Sequence, residues 1–135
     1  MEVIVCLDDR NGMMFNHRRQ SQDRKVIEDI LRCLKEKRLL INSFSASLFD
    51  NTNENILIKE NPLVSAQEND ICFIENFPLM PYVEKIKRLT IYLWNRRYPA
   101  DTYLDMDLNN SWRMLSRAEF TGYSHKKITK ETYTR

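Results

Sequence analysis

A chain of 135 residues with a formal charge of +2 has the size of one domain and lacks the broad basic field that draws in nucleic acid. Its 42% hydrophobic and 30% charged residues fit a globular protein with a core that needs no staples. No stretch approaches the roughly 20 apolar residues of a membrane span, and no basic-then-apolar leader opens the sequence. A cytoplasmic protein without membrane partners is therefore expected. Cys6, Cys33 and Cys72 form no CxxC pair, and each is expected as a free thiol buried among apolar neighbours.

Val3 to Leu7 is a continuous apolar run and predicts a strand buried on both faces, turning at Asp8 to Gly12. Met13 to Phe15 continue as a short extended piece. Ser21 is the expected N-cap of the first helix, with Asp23 in its first turn. Val26, Ile27, Ile30, Leu31 and Leu34 then recur at helical spacing, while Glu28, Asp29, Arg32 and Lys35 are expected to face away.

Arg38 to Asn42 predicts a second strand. Ser45 is placed to cap a short helix running to Phe49, and Asp50 to Asn55 form a polar loop. Ile56 to Ile58 and Ile71 to Ile74 predict further strands, with a marginal apolar piece at Leu63-Val64 between them. A short helix from Leu79 to Ile86 precedes a strand from Arg88 to Trp94. Trp112 to Ser116 and Ile128 to Tyr133 form a closing antiparallel pair joined by a polar connection, Arg117 to Lys127. The whole is a single α/β domain, residues 1–135, with a mixed β-sheet flanked by helices and a C-terminal β-hairpin.

The stretch from Gly12 to Arg24 leaves the first strand and enters the first helix carrying His17, Arg18, Arg19, Asn16, Gln20 and Asp23. Loops on rigid elements are where binding groups sit. Arg18, Arg19, Arg24 and Lys25 suit a carboxylate or phosphate held near a helix N-terminus. The plainer reading is a surface cluster paired with Glu28 or Asp29. Histidine is the side chain suited to proton transfer near neutral pH, but His17 stands alone on a polar loop. No Ser/His/Asp or Cys/His arrangement can be assembled from the sequence. Trp94 and Tyr98 interleave with Arg96 and Arg97 in a pattern that can stack RNA. Strand-end packing explains them better, and nucleic acid is not the expected partner. The terminal hairpin and long strands offer edges that a second copy would cover, so a homodimer is one expectation.

Several strings resemble dihydrofolate reductase. Lys87 to Tyr92 resembles that family's penultimate core strand, Ala100-Asp101-Thr102-Tyr103-Leu104 its Asp-Thr-x-Phe-Pro string, and Trp112 and Thr132-Tyr133 its final hairpin. The resemblance implies a dihydrofolate-reductase-like fold and places Asp23 where a carboxylate holds the pterin ring.

The departures bear on function. In place of the family's Gly-Arg-x-Thr phosphate loop stands Asn42-Ser43-Phe44-Ser45, and in place of its Gly-Gly pair stands Glu75-Asn76. A Cβ on each residue blocks close approach, and Glu75 repels a phosphate. Tyr92 replaces the Thr that supports the catalytic carboxylate, and the chain is short for an adenosine-binding half. No cofactor is therefore expected, and NADPH-dependent reduction is not. A second resemblance, through Asn11-Gly12-Met13-Met14-Phe15-Asn16-His17-Arg18-Arg19, is to short Gram-positive bacterial proteins sometimes labelled ribonuclease Z. That enzyme's His-x-His-x-Asp-His cluster holds two zinc ions. His17 and His125 alone cannot, so no metal site is expected.

The function expected is binding of a small anionic or nucleotide-like ligand in a cleft bounded by Asn16, His17, Arg18, Arg19, Asp23, Ser45 and Tyr92. Arg18 and Arg19 would neutralise it, Asp23 would orient a donor, and Met14 and Phe15 would form an apolar wall. No catalytic residue is assigned. Asp23 is the one candidate, although a helix N-terminus and nearby Arg side chains favour a stable carboxylate over a proton donor. The alternatives are a residual enzyme acting on a pterin or nucleotide, and an interaction module on the same scaffold.

Overall fold

The computed structural model describes residues 1–49 and 53–135. Asp50, Asn51 and Thr52 of the expected polar loop lie outside them. Parallel strands β1 (Glu2–Leu7), β4 (Leu39–Ile41), β5 (Ile56–Ile58), β6 (Ile71–Phe73) and β7 (Arg88–Leu93) form the body of a sheet. Antiparallel β10 (Ile128–Thr134) and β9 (Arg113–Phe120) complete it in the order β5-β4-β6-β1-β7-β10-β9. A smaller sheet, β3-β2-β8, joins β2 (Gly12–Phe15) to β3 (Arg18–Arg19) and β8 (Thr102–Tyr103).

The unbroken apolar runs follow from burial on both faces. Val3 and Val5 of β1 point into a cluster with Leu40, Cys72, Leu79, Ile86 and Ile91. Ile4 points to the opposite face, against Val26, Ile30, Phe73, Tyr92 and Trp94. Helix α1 (Arg24–Cys33) covers that second face with Val26 and Ile30 buried. A short α2 (Pro62–Ser65), with Asn61 as its side-chain cap, and a 3₁₀ segment, Met80–Lys85, serve the first.

Several expectations change. Asp23, not Ser21, caps α1, its carboxylate accepting from the Lys25 N–H at 2.9 Å. Ser45 precedes a 3₁₀ turn, Ala46–Leu48, but makes no side-chain cap bond. Asp29 does not face away: it accepts from the Tyr92 hydroxyl at 2.6 Å and from Lys130 Nζ at 2.8 Å. Strand β9 runs on to Phe120, so the hairpin connection is shorter than expected. Leu63-Val64 are helical and β8 was not anticipated. Of the cysteines, Cys72 is buried and Cys6 half-buried, but Cys33 is exposed on α1. Among the described residues no helix is long and apolar enough to cross a membrane.

Candidate functional site

In a parallel sheet, ligand crevices lie beyond the carboxyl ends of the strands. Here that edge is covered by the segment between β2 and α1. Asn16 and His17 form the two-residue turn of the β2–β3 hairpin, with φ of 51° and 62°, as a type I′ turn requires. Their exposure follows from the turn, and Arg18 beside them is exposed as well. The Asn16 N–H donates to Asp101 Oδ2 at 3.0 Å, tying the hairpin to the neighbouring loop.

Arg19 points inward. Its guanidinium donates to Glu75 Oε2 at 2.8 Å and Oε1 at 3.0 Å, and to the Phe44 carbonyl at 2.9 Å, with the Phe44 ring 4.6 Å away. Ser45 Oγ donates to the same Glu75 Oε1 at 2.7 Å, and Asn42 Nδ2 to Asn76 Oδ1 at 2.8 Å. The loops after β4 and β6 are thus stitched together by their own side chains. A bidentate Arg–carboxylate pair leaves little of the Arg charge for a ligand.

Asp23 is the best-satisfied carboxylate in the chain's described part. Oδ1 accepts from the N–H groups of Lys25 and Tyr123, each at 2.9 Å. Oδ2 accepts from the Ser124 N–H at 2.9 Å and lies 2.8 Å from His125 Nδ1. Burial would raise its pKa, but the bonds from His125, Tyr123, Ser124 and Lys25 outweigh burial and hold it well below the usual carboxylate range. A carboxylate so placed is a fixed acceptor, not a proton donor to the cleft. The α1 residues lining the cleft one turn on, Val26 and Ile27, are apolar.

The loop that reaches Asp23 depends on Gly122. A Cβ there would lie 2.6 Å from Asp23 Oδ2 and 2.8 Å from the His125 carbonyl oxygen. The His125 ring, only 4% exposed as a residue, stacks on Trp94 with centroids 4.7 Å apart. Its Nε2 lies 3.0 Å from Ser21 Oγ and 3.1 Å from the Tyr98 hydroxyl. Ser21, His125 and Asp23 therefore form the linked arrangement that could not be assembled from the sequence. The adjacency of Ser21 and Asp23 was visible there, but the step to His125 comes only through the fold.

Tyr92 does not join this group. It is buried under α1, where burial and Asp29 push its hydroxyl pKa up strongly. It closes a network with Asp29 and Lys130 away from the cleft. Of the expected cleft residues, the fold brings together Arg19, Asp23 and, through Glu75, Ser45. It sets Asn16, His17 and Arg18 on the hairpin tip and Tyr92 elsewhere. Met14 is buried and Phe15 half-exposed, so they do not form one wall.

Two spaces border the segment. A narrow slot of about 20 Å³, with room for about one water, lies among Arg19, Ser21, Ile27, Glu75 and Trp94. An open groove of about 440 Å³ runs outside it along Gln22, Arg24, Ser47, Leu48, Tyr123 and Ser124. The Arg24 guanidinium sits 4.4 Å above the Tyr123 ring, which is 66% exposed. Among the described residues no group of three His, Cys, Asp or Glu side chains is placed to hold a metal ion. Glu75 sets a carboxylate between the loops after β4 and β6, a group that does not suit a dinucleotide pyrophosphate there.

No known family's sequence profile matches the chain, and no curated protein matches it. Among solved structures it is similar to a dihydrofolate reductase from Enterococcus faecalis complexed with NADP(H) and RAB-propyl. The TM-score is 0.69 at 10% identity, over 99% of this chain and 95% of that one. Nothing in these comparisons points to ribonuclease Z. The chain has a dihydrofolate-reductase-like fold.

Proposed function

We propose that the protein binds a small anionic, aromatic or nucleotide-like ligand in the open groove beside the 12–24 segment, without dinucleotide-dependent reduction. The observation that carries this reading is Arg24, stacked 4.4 Å above the exposed Tyr123 at a groove of about 440 Å³. That volume falls within the range of small-molecule sites, roughly 300–1,000 Å³. Ser47 and Ser124 add hydroxyls to the same wall. Arg24 takes the role that the sequence suggested for Arg18 and Arg19, because Arg19 is spent on Glu75 and Arg18 sits on the hairpin.

The test is a thermal-shift titration with nucleoside monophosphates, folates and NADPH. A shift with a monophosphate or folate that disappears in Arg24→Ala supports the reading. Stabilisation by micromolar NADPH, or a shift that survives Arg24→Ala, overturns it.

A second reading, self-association, is favoured by β9. This edge strand of eight residues is exposed along nearly its whole length, with Met114 and Leu115 more than 40% exposed. Antiparallel pairing of two copies centred on Ser116 sets Arg113 opposite Glu119. Light scattering of the wild type against Ser116→Pro separates a dimer from a monomer.

A further inference from the structure

We infer that Ser21, His125 and Asp23 form a nucleophilic relay that cleaves esters of short carboxylic acids through an acyl group carried on Ser21. The inference goes beyond the ligand groove and does not rest on it.

The geometry has the parts that such chemistry needs. Asp23, its carboxylate fully buried, accepts from the N–H groups of Lys25, Tyr123 and Ser124, so its position is over-determined. His125 Nδ1 lies 2.8 Å from Asp23 Oδ2, a contact that places a proton on Nδ1, so that in the neutral imidazole Nε2 is the acceptor. Stacking on Trp94 fixes the ring plane. Ser21 Oγ lies 3.0 Å from Nε2. The Tyr98 hydroxyl shares that nitrogen at 3.1 Å but also donates toward Ser21 Oγ at 3.4 Å, which leaves Ser21 to donate to the imidazole. Ser21 is half-buried, not sealed, and lines the slot.

In the first half-reaction, Ser21 Oγ bonds to the ester carbonyl carbon as its proton passes to Nε2. The bond from that carbon to the alcohol oxygen then breaks, and the alcohol leaves with the proton. In the second, a water oxygen adds to the acyl carbon and its proton passes to Nε2. The acyl–Oγ bond breaks, the acid departs and Oγ recovers the proton. Asp23 balances the imidazolium in both. The slot sets the specificity. At about 20 Å³ it admits a methyl-sized group and little more, which selects acetyl-sized acyl chains.

The full chain is treated with a fluorophosphonate, and the adduct is located by intact mass and peptide mapping. Hydrolysis of 4-nitrophenyl acetate and octanoate is measured alongside. The expected result is an adduct on Ser21, acetate turnover that falls at least about 10²-fold in Ser21→Ala and in His125→Gln, and octanoate turnover about tenfold or more below acetate. Absence of an adduct at Ser21 in the wild type, or a Ser21→Ala rate within about threefold of wild type, overturns the relay. Octanoate turned over as fast as acetate overturns the assignment of the slot. The readout is a covalent bond at Ser21, so its failure is distinct from failure of the groove to bind.

Discussion

Asp23 Oδ2 lies 2.8 Å from His125 Nδ1, a contact between residues 102 positions apart that ties the start of α1 to the loop between β9 and β10. The same carboxylate caps the helix, so one side chain fixes a helix end and a hairpin loop together. Removing it by Asp23→Ala deletes a cap worth about 1 kcal/mol and leaves buried donors of the 122–125 loop unpaired. A loss of about 2–4 kcal/mol is expected in urea denaturation.

The pH dependence follows from the direction of the shift. The Asp23 pKa is lower in the folded chain than its ordinary value of 3.8, so its contribution is fully present above that value. It is lost as pH falls below 3.8 and through the folded-state value. Asp8, Asp29 and Asp70 are shifted the same way, so acid unfolding is expected to be cumulative. Asp23→Asn is expected to flatten the acid limb of stability against pH. An unchanged limb would show that Asp23 is not anchored as described.

Arg19→Ala strands the largely buried Glu75 with one hydroxyl donor, Ser45, and is expected to cost about 1–3 kcal/mol. If the groove reading is right, anion affinity is retained in Arg19→Ala and lost in Arg24→Ala. Calorimetry on both variants distinguishes a structural arginine from a ligand-facing one.

The cysteines provide a test of packing. Burial pushes the Cys72 thiol up to about 12, and Cys6 is raised well above its ordinary value by burial. Cys33 is exposed on α1. With a disulfide reagent at neutral pH, one fast thiol is expected in the native protein and three after unfolding.

Much of this fold was legible because apolar runs such as Val3 to Leu7 and the stripe from Val26 to Leu34 carry their own period. The short pieces β3 and β8 were not, since two-residue strands have no period to read. The site was legible only where its parts lie close in sequence. Asp23 marked itself, Ser21 was read only as a helix cap, and His125 needed the return from β9 to β10 to arrive beside them. Arg19 was seen as a ligand residue because nothing in the sequence shows that Glu75 faces it. Asp29 was misplaced for a related reason: helical periodicity does not report that Tyr92 and Lys130 reach across from the sheet.

The glycines carry a consequence for how the chain tolerates change. Neither Gly12 nor Gly122 takes a positive φ, whereas Asn11, Asn16, His17, Lys35, Glu36 and Asn95 do. The tight backbone turns are made by residues with side chains. The glycines are held where a methyl group would run into neighbouring side chains: Gln20, Ala100 and the Asp8 carboxylate at Gly12, and the Asp23 carboxylate at Gly122. A saturation-mutagenesis map should therefore show both glycines refusing any side chain because of their neighbours, and the positive-φ bends refusing chiefly β-branched residues and proline because of their own backbone.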